Sequence, residues 1–356
     1  MKLYNEEISK KELLKKVGDI SQIGGIKLHE MIDGVSRGVR VANIKNAIGI
    51  DMNVIIDRGL DISDLRFNSI PIAWKSAVKE TSPVYYESRD FEWLRTFYGG
   101  LLTTCGLTYT GMPCVDNGEE LGLHGRIANL PAENIFTDSQ WEDDDYVMSV
   151  QGVVREAKVF GDKLENKRKI TVWMNKAKVV VEDTIENIGS DTSPLMIIYH
   201  INIGFPVLDS GSILLESEAN VTPRDHEAEK GFIEYSKFSE PVSGYKEQVF
   251  SHDIKADNDG NSNIAIVNEK FNNGSGMGIW VKFNKDNLPL LGQWKNMGYG
   301  EYVCGIEPSN CLTTGRKIHR DRGELKFIEP GEKKNFRIEF NILNSIEQIN
   351  KLKIIL

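Results

Sequence analysis

Two histidines and one glutamate of this 356-residue chain stand in settings that an ordinary core would not choose. His200 lies in Leu195–Phe205, LMIIYHINIGF. Strand alternation puts Leu195, Ile197, Tyr199, Ile201 and Ile203 on one face and Met196, Ile198, His200, Asn202 and Gly204 on the other. The first face is apolar core. The second turns polar and small toward its end, as a ligand-facing surface does. Glu307 lies in Tyr302–Ser309, YVCGIEPS, where Gly305 removes the side chain that would crowd a ligand beside the carboxylate. Pro308 closes the ladder just after it. His124, in Leu121–Pro131, is flanked by Gly122 and Gly125, which let the backbone approach a ligand closely. Taken singly, each has a plain reading: a histidine bonded within a sheet, a strand-end glutamate, a loop histidine.

Taken together, a histidine and a carboxylate on strands of one sheet form a matched acid/base pair. Interconverting the anomers of an aldose requires such a pair. A carboxylate removes the proton of the C1 hydroxyl, an imidazolium protonates the ring oxygen, and the ring opens. After rotation about C1–C2 the same groups act in reverse. Unperturbed pKa values near 4.3 for Glu and 6.5 for His let the two charged forms coexist near neutral pH. The chemistry demands no metal and no redox cofactor.

Other motifs fail. Gly274, Gly276 and Gly278 lack dinucleotide-loop spacing and read as a hairpin loop. Asp257-Asn258-Asp259-Gly260 echoes a calcium loop, but its register would begin at Lys255 and end at Ile266. The closely spaced histidines of a metal-binding β-helix are missing. Cys105, Cys114, Cys304 and Cys311 give neither a CxxC pair nor a zinc pattern, so reduced, half-buried thiols are expected.

The elements that must position these groups are strands. One short helix is expected at Ser9–Val17, capped by Ser9 with Leu13, Leu14 and Val17 as its stripe. From Gly38 onward β-branched residues dominate, with strands at Arg40–Ile50 and Asn53–Ile62. A hairpin pairs Lys169–Met174 with Lys178–Ile185 around Asn175-Lys176-Ala177. Further strands follow at 194–203, 212–218, 263–267, 278–283, 302–307 and 335–342. In the last, Phe336, Ile338, Phe340 and Ile342 alternate with Arg337, Glu339 and Asn341. More than ten strands and 32 glycines indicate one large antiparallel β-sandwich. The expected division is a helical segment over residues 1–20 and one sandwich domain over 21–356. Residues 345–353 read as a short docking helix. Tyr85 to Tyr98 interrupts the strands with six aromatics, which would suit either a sugar-stacking wall or a loop docked on the core.

Composition narrows the partners. With 43 basic and 52 acidic residues the net charge is −9, which argues against nucleic acid or an anionic membrane. No apolar run approaches the ~18–20 residues a membrane helix needs. The charged first twenty residues lack a signal-peptide core, so the cytoplasm is expected. The oligomeric state is left open.

Seven segments in order resemble the aldose 1-epimerase (galactose mutarotase) superfamily, and more closely a branch of aldose-1-epimerase-like proteins. They are Asp57–Ile62 (DRGLDI), Gly99–Thr110 (GGLLTTCGLTYT), Gly122–Pro131, Tyr199–Asp209 (YHINIGFPVLD), Thr222–Asp225 (TPRD), Gln293–Lys295 (QWK) and Gly305–Arg316 (GIEPSNCLTTGR). The resemblance implies a galactose mutarotase-like supersandwich whose concave face binds a carbohydrate. It casts His200 as general acid, Glu307 as general base and His124 as the supporting histidine. It assigns Arg58, Asp61, Asp225, Gln293 and Trp294 to substrate binding. The family's histidine-glycine-glycine is here His124-Gly125-Arg126, and with Arg316 that cation would suit an anionic sugar. A non-catalytic carbohydrate-binding protein on the same scaffold, or a lyase or hydrolase acting on a uronate or glycoside, remain alternatives.

Overall fold

The computed structural model describes residues 1–4 and 6–356. Two large antiparallel sheets carry the fold, one of eleven strands and one of eight. At the middle of the larger sheet Leu290–Gly298, Glu301–Ser309, Met196–Ile203 and Leu102–Leu107 lie side by side. The smaller sheet places Lys163–Trp173, Lys178–Asn187, Lys333–Leu343 and Met277–Asn284 next to one another.

Alternation decides which face each strand buries. Leu195, Ile197, Tyr199, Ile201 and Ile203 enter the core between the sheets, where they join Ile170, Val172, Val179, Val181 and the Phe336-to-Ile342 series. Each such fully buried apolar side chain contributes about 1.5–3 kcal/mol. One buried charge cluster bridges the layers. The Arg168 guanidinium donates to Asp61, Asp183 and Thr104, and the Tyr199 hydroxyl donates to Asp183 at 2.7 Å. The opposite face of the larger sheet carries Cys105, Met196, Ile198 and Val303, which pack beneath Trp93 and Phe97 of the aromatic segment. His200 and Glu307 belong to this outer layer.

Several expected boundaries shift. The two strands expected over 40–50 and 53–62 become three, Arg40–Lys45, Ile50–Ile55 and Asp61–Phe67, because turns fall at 46–49 and 56–60. Gly49 accounts for the first turn: its φ is 118°, and a Cβ there would meet the Asn68 side chain at 2.1 Å. The N-terminal helix shrinks to Lys10–Leu13, capped by the Ser9 side chain. Leu13 and Val17 are buried with the main core, whereas Leu14 faces solvent. At the other end Ser345 caps Ile346–Ile355, whose Ile349 and Leu352 dock on Ala265, Val267 and Leu343. The four cysteines are free thiols; Cys105, Cys304 and Cys311 are buried and Cys114 is partly exposed. No helix among the described residues is long and apolar enough to cross a membrane.

Candidate active site

His200 sits on the Met196–Ile203 strand beside Glu301–Ser309, the strand that carries Glu307. His200 Nε2 lies 3.3 Å from Glu307 Oε1. Both residues are about 95% buried, at 5% and 4% exposure. Gly305 makes this approach possible. A Cβ at that position would lie 3.1 Å from Glu307 Oε1 and 3.3 Å from His200 Cε1. The pair forms the base of a hollow of about 160 Å³ that also exposes His124, Trp294 and Arg224.

The aromatic segment both walls this hollow and packs on the sheet. Phe91, Trp93, Leu94 and Phe97 line it from the short turn Glu92–Thr96. Trp93 stacks on Phe97 at 4.7 Å between centroids, Phe97 meets His200 edge-on at 5.2 Å, and Trp93 meets His124 at 4.9 Å. The His124 and His200 rings are 5.9 Å apart. Rings therefore hold rings, and both imidazoles lose their freedom to turn. The Nδ1 atoms of both histidines are buried with no hydrogen-bond partner among the described residues.

Electrostatics separate the three groups. Burial pushes the Glu307 carboxyl above the usual carboxylate range, and the neighbouring His200 pulls it back down. Burial, reinforced by His200, pushes His124 down to about 3, so it is neutral at physiological pH. A neutral imidazole offers one donor and one acceptor, which suits it to bind a hydroxyl and not to deliver a proton.

Of the ten side chains expected at the site, His124, His200, Trp294 and Glu307 converge on the hollow. The other six are elsewhere. Arg58 is buried and donates to the carbonyls of Thr81, Thr96 and Ala128, so its fork is spent on backbone. These carbonyls flank the aromatic segment and the His124 loop, which Arg58 thus ties together. Asp61 is locked in the Arg168 cluster. Arg126 is exposed over a separate polar hollow with Tyr109, Glu156 and Lys158. His124 and Gly125 take φ of 57° and 78°, which reverses the chain and carries Arg126 off. Arg316 is buried against Asp116 and Glu119. Asp225 caps the helix His226–Lys230 through the amides of Glu227 and Ala228. Gln293 points to the opposite side of its strand from Trp294, between His252 and the Tyr235 carbonyl.

The glycines beside His124 have a different use from the one expected. A Cβ at Gly125 would lie 2.4 Å from the carbonyl oxygens of Gly106 and Tyr109, and one at Gly122 would lie 2.3 Å from that of Ser88. The chain approaches itself there. Two polar lining residues had not been placed. Arg224 lies in the Thr222–Asp225 segment and pairs with Asp225 at 2.8 Å. Glu247, in the unpatterned stretch GYKEQV, gave no signal; it accepts from Trp294 Nε1 at 2.8 Å and from Arg224 Nη2 at 3.1 Å. That bridge fixes the Trp294 ring against the hollow.

A twisted sandwich with its paired polar groups on the outer face of the larger sheet is a galactose mutarotase-like fold. The chain is similar over 97% of its length to 89% of a candidate aldose 1-epimerase from Klebsiella pneumoniae, with 23% identity and a TM-score of 0.88. It is also similar to a galactose mutarotase-like protein from Clostridium acetobutylicum, with 15% identity, a TM-score of 0.60, and coverage of 91% and 100% of the two chains. A third similar structure is galactose 1-epimerase from Lactobacillus acidophilus, with 10% identity, a TM-score of 0.57, and coverage of 90% and 99%. The chain belongs to the family described as domain of unknown function DUF4432, whose model matches residues 36–342. No curated protein matches it.

Proposed function

We propose that the protein is a carbohydrate epimerase of the aldose 1-epimerase kind, which interconverts the anomers of a free sugar. The observation that carries this reading is the buried contact of His200 Nε2 with Glu307 Oε1 at 3.3 Å beneath an aromatic-walled hollow. With an aldose in the hollow, Glu307 takes the proton from the C1 hydroxyl while His200 gives one to the ring oxygen. The C1–O bond to the ring oxygen breaks and the open aldehyde forms. Rotation about C1–C2 presents the other carbonyl face, and both proton transfers run backward to close the ring. Neutral His124 holds a sugar hydroxyl, and Trp294 with the Phe91-to-Phe97 wall takes the apolar faces of the ring.

Glycoside hydrolysis is supported less well. It uses two carboxyl groups across the scissile bond, and the second carboxylate at this hollow, Glu247, is engaged by Trp294 and Arg224. The test is anomer exchange by NMR on freshly dissolved aldoses. Glu307→Gln should slow exchange by at least ~10²-fold if the base is Glu307. A protein that binds sugar but accelerates no exchange would instead be a carbohydrate-binding protein on the same scaffold.

A further inference from the structure

A second compartment, of about 290 Å³, opens on the far side of Glu307. It shares Arg224, Val249, Glu307 and Thr313 with the first hollow. Sheet register builds it. Thr222 pairs with Ser251, Ser251 with Gly292, and Gly292 with Glu307, so one row of residues crosses four adjacent strands and ends at the carboxylate. Gly292 is the gap in that row, since a Cβ there would lie 3.1 Å from Glu307 Oε2. Oε1 therefore looks to His200 and Oε2 to the second compartment.

The polar lining of the compartment is free of partners among the described residues. The hydroxyls of Thr222, Ser251, Ser309 and Thr313 all border it, and none makes a side-chain hydrogen bond among the described residues. Ser309 is only 3% exposed, and Glu307 likewise has no hydrogen bond there beyond the His200 contact. Arg322, on the rim, forms no ion pair among the described residues. Thr222 is exposed and Ser251 and Thr313 are half-buried, so these convergent hydroxyls are open to a ligand, and together they mark a place for a hydroxyl-rich one. Apolar Val249, Leu290 and Leu312 interleave with them, the mixed lining that a pyranose with its polar edge and apolar faces would fit.

We infer that the substrate is a reducing sugar bearing a second glycosyl unit on carbon 2, and that this unit occupies the second compartment. The inference rests on the proposed epimerase reading for its orientation. If Glu307 holds the anomeric hydroxyl, the space beyond Oε2 adjoins C1. The anomeric oxygen must stay free for ring opening, so the substituent that reaches this space leaves from the neighbouring carbon. A unit linked through carbon 4 departs from the opposite end of the ring, and one linked through carbon 6 leaves on the ring-oxygen side, toward His200.

The test compares glucose with 2-linked and 4-linked glucosyl-glucose by NMR exchange. The 2-linked sugar should exceed the 4-linked one in kcat/KM by about tenfold, the worth of one or two added hydrogen bonds. Ser251→Phe, which fills the compartment, and Thr222→Trp, which narrows its exposed rim, should each bring the ratio of the 2-linked to the 4-linked rate to about one, a ratio in which any general loss of activity cancels. Equal rates for the two disaccharides, or a preference that survives filling, would overturn the inference. If no sugar exchanges, the epimerase reading fails, and ligand-observed NMR binding decides the compartment separately. Tighter binding of the 2-linked disaccharide, lost in Ser251→Phe, would uphold it; indistinguishable binding would sink it.

Discussion

The molecule buries two clusters of charged groups on its central strands, and they are built on opposite plans. Between the sheets, Arg168 is enclosed by Asp61, Asp183 and Thr104, with Tyr199 completing the ring. The donors of the guanidinium and the oxygens it faces are matched to one another. On the outer face, His200 and Glu307 touch only at 3.3 Å, with the His200 Nδ1 unpartnered and the other carboxylate oxygen turned to open space. A buried charge that serves architecture is saturated by the chain itself. One that serves a ligand keeps unused capacity, at a cost in stability that only an occupant removes.

Breaking the first cluster should have the largest effect. Arg168→Met strands two buried carboxylates and should lower stability by about 3–5 kcal/mol, read as a fall in the urea midpoint. The matching change at the second cluster should separate the two plans. Glu307→Gln should cut anomer exchange by ~10²-fold yet leave the urea midpoint unchanged or raised. The sign follows from its titration. Burial raises the folded pKa of Glu307, so the folded state holds the proton more tightly than the unfolded chain. Stability then declines as pH rises from the ordinary carboxylate value to the raised one, and glutamine abolishes that decline. For the same reason the acidic limb of the exchange rate should lie above ~4.3, the value of a free glutamate.

Arg58 belongs with the saturated plan though it was assigned to the open one. Arg58→Lys keeps the charge but cannot span three carbonyls. It should destabilise by about 2 kcal/mol, with exchange weakened mainly through KM as the His124 loop loosens. His124 sharpens the contrast from the open side. Its folded pKa of about 3 lies below the ordinary 6.5, so the unfolded chain takes up a proton that the native state refuses. Stability should fall as pH drops from about 6.5 toward 3, by up to about 2 kcal/mol at pH 5. His124→Asn should flatten that slope in denaturation curves taken across the range. The smallest effect is expected at Arg126, which faces away from the hollow. Arg126→Ala should shift both stability and sugar affinity by less than about 0.5 kcal/mol, and a clear loss of affinity would put the cation back at the site.

The sequence by itself determined that the chain is built of strands and, for the clearly alternating ones, which face is buried, but it carried no signal for Glu133–Glu142, Asp145–Ala157, Gln248–Ile254 or Leu290–Gly298. A period of two is local, and the apolar set from Leu195 to Ile203 or from Phe336 to Ile342 can sit only one way against a core. That same alternation singled out His200 and Glu307, since a polar residue on a strand's second face needs a reason to be there. It could not say how strand order brings Leu290–Gly298 and Gln248–Ile254 beside them, which is what places Trp294, Glu247 and the open row through Gly292. Nor could it tell the spent arginines from free ones. Arg58, Arg126 and Arg316 each look like a ligand's cation in a motif, and what decides is whether carbonyls or carboxylates from distant segments already meet the guanidinium. Those meetings join residues 23 to 208 positions apart, and chain contacts at that range are set by packing of the whole sandwich, not by any local pattern.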